Sequence, residues 1–83
     1  MNKVLVNVYV PFIEKEYDVF IPLNRKVCII KKLICEGIVE LTDNNYKMNS
    51  TISLSNRESN IIYDDNEFVI DTDIRNGTKL ILM

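Results

Sequence analysis

Cys28 and Cys35 are the only thiols of the chain, and it holds no histidine at all. The missing imidazole removes the commonest general base and the commonest protein metal ligand. Two cysteines alone do not complete a zinc site, which as a rule takes four ligands. Asp64-Asp65-Asn66-Glu67 lines up oxygen ligands like half of a calcium loop, but it lacks the spacing and the distal glutamate of an EF-hand. It reads as a solvated turn. Gly37 and Gly77 stand far apart, so no glycine-rich loop can cradle a phosphate. No catalytic, metal-binding or cofactor-binding residue is expected, and no small-molecule substrate.

What remains is the chemistry of apolar contact. From Lys3 to Val10 the chain alternates, with Val4, Val6, Val8 and Val10 on one side and Lys3, Leu5, Asn7 and Tyr9 on the other. That is the pattern of a half-buried strand with its valines inward. Pro11 ends the strand because proline cannot continue a ladder. Phe12 to Glu16 turns the chain. Tyr17 to Leu23 then alternates again, with Tyr17, Val19, Ile21 and Leu23 on one face and Asp18, Phe20 and Pro22 on the other. Two such runs across a short polar link predict an antiparallel hairpin. A last strand from Thr78 to Met83 points Leu80 and Leu82 inward and Ile81 outward. If it neighbours the hairpin, Leu5, Tyr9, Phe20 and Ile81 meet on the open face of one sheet. Single exposed apolar residues are ordinary. Four on one face form a candidate protein-binding patch.

The elements that must position this patch follow from a change of period. Val27, Ile30, Ile34, Ile38 and Leu41 recur at steps of three and four and define one helical face within 25–42. Asn24 is a candidate N-cap. Gly37 falls on the apolar face, where its missing side chain would allow close approach to a sheet. Cys28, Cys35 and Val39 add a smaller apolar stripe that widens the core contact. The helix carries Arg25 and Lys26 in its first turn and Glu40 and Asp43 near its last, against the macrodipole. Packing must therefore hold it.

Thr42 to Ser50 is polar and reads as a connecting loop. Thr51 to Ser55 is expected to be a strand with Ile52 and Leu54 inward, and Ile61-Ile62-Tyr63 another short strand. Between them Arg57 to Asn60 turns the chain. Phe68-Val69-Ile70 supplies apolar anchors for a short helical or irregular stretch. Asn76-Gly77 is a strong turn dipeptide. A hairpin, one amphipathic helix that covers its buried face, and a last strand beside the first make a single α+β domain over 1–83. The expected architecture is the β-grasp: a mixed four- to five-stranded sheet packed on one α-helix, with a right-handed crossover between the parallel strands.

Composition bounds the partners. The chain of 83 residues is 47% hydrophobic and 27% charged, a globular balance. Ten basic and twelve acidic residues leave a formal charge of −2, which argues against nucleic acid, since that partner needs a basic patch. No apolar run approaches the roughly 20 residues that cross a bilayer, so no membrane insertion and a cytoplasmic location are expected. Cysteines seven apart on one helix lie about 10 Å from each other, too far for a disulfide, and should be free thiols.

The hairpin, the helix and the closing segment from Asp71 to Leu82 resemble the ubiquitin superfamily over essentially the full length. Within it, the chain is most similar to the small YukD/EsaB proteins, the cytosolic ubiquitin-like accessories of the Gram-positive type VII (WXG/Ess) secretion system. The resemblance rests on the stand-alone size, on Tyr17-Asp18-Val19-Phe20-Ile21-Pro22-Leu23 before the helix, on the Ile74-Arg75-Asn76-Gly77-Thr78 turn, and on an ending in Ile81-Leu82-Met83 where modifiers carry Gly-Gly. It implies a non-catalytic, non-conjugated accessory or adaptor that binds protein components of a secretion machinery. A monomer or weak homodimer is expected. The alternative is a sulfur carrier or modifier of the same fold, which the missing Gly-Gly disfavours. A small antitoxin-like or phage-encoded inhibitor has no residue evidence.

Overall fold

The computed structural model describes residues 3–41 and 52–83. Strand β1 (Lys3–Val10) runs into a 3-10 turn at Pro11–Ile13 and returns as β2 (Lys15–Pro22). Helix α1 (Val27–Leu41) follows, then the short β3 (Leu54–Asn56), a 3-10 turn at Val69–Asp71, and β4 (Lys79–Leu82). The four strands form one sheet in the order β2-β1-β4-β3. β1 pairs antiparallel with β2 and parallel with β4, and β3 is antiparallel to β4. The sheet is therefore mixed, with the last strand beside the first as the β-grasp reading expects.

The alternating valines explain the core. Val4, Val6, Val8 and Val10 are buried, and so are Ile21, Leu80 and Leu82 on the same face. Tyr17, Val19 and Leu23 pack partly buried against them. Val27, Ile30, Ile34 and Ile38 of α1 close the core from above, joined by Cys35. Cys28 is half-buried and Val39 packs on the core, so that second stripe does widen the contact. The loop read over 42–50 and the Leu41 side chain lie outside the described residues.

Several expectations need correction. The sequence places an N-cap at Asn24, but the first helical bonds go to the Lys26 carbonyl, from the Ile29 and Ile30 amides at 3.0 and 3.2 Å. The orphan donors of the first turn find remote carbonyls: Val27 N–H donates to Glu67 at 2.9 Å and Cys28 N–H to Asp65 at 3.1 Å. That long-range cap meets the need a side-chain cap would meet. Gly37 faces outward, and a Cβ built there would meet nothing within 4 Å. It makes no close approach to the sheet. Ile61-Ile62-Tyr63 is not a strand; only an isolated bridge joins Ile62 to Ser55. The chain there is held instead by single bonds, Asn56 N–H to Ile61 and Tyr63 N–H to Leu54. Of Phe68-Val69-Ile70, Val69 alone is buried. The third strand begins at Leu54, later than the sequence pattern suggests, with Ile52 still packed on the core.

One polar network fastens this strand-poor half. Buried Asn56 donates from Nδ2 to the Tyr63 hydroxyl at 3.2 Å and accepts at Oδ1 from the Glu58 and Ser59 amides. The Tyr63 hydroxyl donates to Asp73 at 2.5 Å. Arg75 supplies a second clasp, giving guanidinium bonds to the carbonyls of Ile70, Thr72 and Ile74. The Asn76-Gly77 turn is seen as expected, with Gly77 at φ +85°, a conformation glycine adopts without a Cβ penalty. Asn76 Oδ1 accepts from the Leu5 amide and the Gly77 amide donates to the Leu5 carbonyl, which locks the turn to β1.

Candidate protein-binding face

The sheet face away from α1 carries all four residues named from the alternation. Cross-strand register sorts them into rows. Leu5 stands opposite Phe20, and Tyr9 stands beside Ile81. Phe20 is 69% exposed and Leu5 40%, while Tyr9 and Ile81 are half-buried. The expected single patch is thus two pairs, one at each end of the face.

Between them runs a polar row. Asn7 lies opposite Asp18 on one side and Lys79 on the other. Its amide donates to Asp18 Oδ1 at 3.1 Å and accepts from the Arg57 guanidinium at 3.0 Å. Arg57 reaches in from just beyond β3, where its backbone amide is held by the Lys79 carbonyl at 2.8 Å. The guanidinium carbon lies 5.6 Å from the centre of the Tyr9 ring, within cation–π range, and a guanidinium nitrogen is 4.0 Å from the Glu16 carboxylate. Arg57 is therefore oriented by three neighbours and only partly exposed. It is the residue the sequence reading missed, because 57–60 reads as a turn and a turn arginine is ordinarily solvated. The available signal was Asn7, a polar side chain inside an otherwise apolar alternation.

At the far edge, Ser55 pairs with both Ile81 and Ile62. Ile62, 69% exposed, extends the Tyr9–Ile81 end of the face. The face offers apolar contact at two ends and fixed donors and acceptors between them. Such a surface can bind a protein; it holds no paired nucleophile and base. Asp65, in the acidic run read as a solvated turn, forms an ion pair with Lys31 at 2.7 Å, and that same ammonium donates to the Ile52 carbonyl. Among the described residues no three cysteine, aspartate or glutamate side chains group as metal ligands, and no helix is long and apolar enough to cross a membrane.

This architecture is the ubiquitin-like β-grasp. The ubiquitin-like domain of an Arabidopsis thaliana protein superposes with a TM-score of 0.73 at 21% identity, covering 100% of this chain and 78% of that one. The ubiquitin-like domain of the Mycobacterium tuberculosis type VII secretion system protein EccD1 superposes with a TM-score of 0.75 at 11% identity, covering 99% and 98%. A chain of the MycP5-free ESX-5 inner membrane complex matches with a TM-score of 0.72 at 15% identity, over 100% of this chain and 21% of that one. At such identities the likeness is one of fold. No protein-family model matches the chain, and no curated relative does.

Proposed function

We propose that the chain is a non-catalytic, non-conjugated ubiquitin-like accessory of a type VII secretion system, of the YukD/EsaB kind, acting in the cytoplasm by docking on protein components of that machinery. The observation that carries this reading is the open sheet face. Leu5 and Phe20 at one end and Tyr9 and Ile81 at the other flank an arginine that the fold holds in place. Aromatic and arginine side chains are the residue types that most often dominate protein interfaces. The fold shared with the EccD1 domain supports the system; fold alone does not give function.

The test compares two pairs of variants. Phe20→Ser and Ile81→Ser remove apolar area from the outer face and should each cost less than about 1 kcal/mol of stability. Ile30→Ser and Leu80→Ser leave a cavity and a buried hydroxyl, and should cost several kcal/mol, on the order of 3. Thermal unfolding gives the first quantity, and export of secretion substrates from cells gives the second. The outer-face variants should stay folded and lose secretion. If they remain folded and secrete normally, docking occurs elsewhere and the face is only surface.

A further inference from the structure

A second apolar surface lies at the opposite edge, between α1 and the free side of β2. Among the described residues β2 ends the sheet, with no strand beyond it. A groove of about 210 Å³ runs between this edge and the helix, and its lining includes Tyr17, Phe20, Pro22, Leu33 and Gly37. No charged side chain among the described residues lines it. Leu33 and Gly37 line it from α1; Ile29 and Glu40 of the helix and Lys26 just before it continue their line, and all five are exposed. Ile29 is 42% and Leu33 48% exposed.

The order of these residues is the informative part. They fall at steps of three, four, four and three, so they form one stripe on the helix. The stripe is also symmetric about Leu33. Lys26 and Glu40 are equidistant from it and opposite in charge. Ile29 and Gly37 are equidistant from it, one bulky and one without a side chain. Lys26 precedes Val27, the first residue of α1, but its carbonyl accepts the first helical bonds; its exposed ammonium lies 5.9 Å from the centre of the Phe68 ring, a contact it would share or leave in turning to a partner.

We propose that this stripe is a homodimer interface, in which a second copy of the chain packs antiparallel across a two-fold axis at Leu33. A two-fold interface uses the same patch on both copies, so the patch must be complementary to its own reversal. This one is. Reversal sets Lys26 of each copy against Glu40 of its partner, twice over. It sets each Ile29 over the notch at the partner's Gly37, where a Cβ would meet nothing of its own chain. It brings the two Leu33 side chains together over the groove floor. A glycine at a helix contact lets the axes come close, within the 8–10 Å range of packed helices (about 8 Å at the near limit). Leu5, Tyr9, Ile81 and Arg57 of the open sheet face stay free in such a dimer, while Phe20, at the β2 edge, borders both surfaces.

Sedimentation equilibrium of the whole chain reads the proposal directly. The wild type should pass from monomer to dimer with concentration, with dimer plentiful on the order of 100 μM. The equilibrium should weaken in high salt, because the four terminal charges of the interface are rim charges. Lys26→Glu sets like charges together at both ends and should weaken the dimer about tenfold, as should Glu40→Lys. The deciding measurement mixes those two variants. Each is a poor self-partner, but together they restore both opposite-charge pairs, so the mixture should form a one-to-one heterodimer. Leu33→Asp should abolish pairing, with circular dichroism showing that the monomer stays folded. A wild type that remains monomeric at every concentration overturns the proposal and leaves the groove to another occupant, such as an extended peptide on the β2 edge. A dimer indifferent to all three substitutions overturns it equally, since it must form elsewhere.

Discussion

Tyr63 shows how one side chain can serve a region that has little regular structure. Its hydroxyl is buried between Asn56 and Asp73, and burial, reinforced by the bond to the Asp73 carboxylate, pushes its pKa up from 10.0 to about 12. The neutral phenol is therefore the form the fold prefers. An unfolded tyrosine ionises near pH 10 while this one still holds its proton. The stabilisation is fully present below pH 10 and is lost as pH rises toward 12. Tyr63→Phe should cost about 1–3 kcal/mol at neutral pH, since it strips Asp73 and Asn56 of a partner. Denaturant melts of both proteins should then converge between pH 10 and 12; a constant difference would deny the coupling. The two thiols separate at the same scale. Cys35 is buried at 1% exposure and Cys28 is half-buried. Native protein should alkylate first at Cys28, and both should react once unfolded. Mass spectrometry of the labelled peptides checks the order, and a thiol pair that stays blocked after denaturation would contradict it.

At the scale of elements, the two glycines predict opposite outcomes from the same substitution. Gly77 sits at φ +85° in the turn that feeds β4 and is bonded to Leu5 of β1. An added Cβ is strained there, so Gly77→Ala should destabilise by about 1 kcal/mol or more. Gly37 lies in α1 with open space around it. Gly37→Ala should stabilise the dilute protein by roughly 0.5–1 kcal/mol, through higher helix propensity and a less flexible unfolded chain. Thermal melts of the two variants should shift in opposite directions. The helix itself depends on its surroundings. It has no acidic side chain in its first turn and no basic one in its last to favour its dipole, and its first amides are satisfied by the carbonyls of Asp65 and Glu67. Helix and 64–68 segment should therefore unfold together, despite lying far apart in sequence.

For the molecule as a whole, the sheet divides its labour by face. One face is closed by α1 into the core, and the other presents Leu5, Phe20, Tyr9, Ile81 and Arg57 to solvent or to a partner. If the adaptor reading proposed above holds, incubation with ATP and a ubiquitin-type activating enzyme gives neither acyl-adenylate nor thioester, and detection of either product by mass spectrometry would replace it with a carrier reading. The α1 stripe and the Leu5, Tyr9, Ile81 and Arg57 part of the open face are separate surfaces, with Phe20 bordering both, so the homodimer and the docking on secretion components are compatible in one assembly.

The strand β1, the core face of α1, and the inward Leu80 and Leu82 of β4 were legible in the sequence because each is a local period. Alternation by two or recurrence near 3.6 reports which side of an element is buried, whatever that side meets. The outward direction of Leu5, Tyr9, Phe20 and Ile81 followed from the same rule. What the rule does not carry is what lies beside a residue on the next strand. Only the tertiary structure set Asn7 between the two apolar pairs and brought Arg57 to it from 50 positions away. Only it capped α1 with carbonyls of the 65–67 turn and reduced the expected Ile61–Tyr63 strand to one bridge. Those features depend on register and on loops closing over long separations. Their energies come from pairs of distant groups, and no window of neighbouring residues contains both members of such a pair.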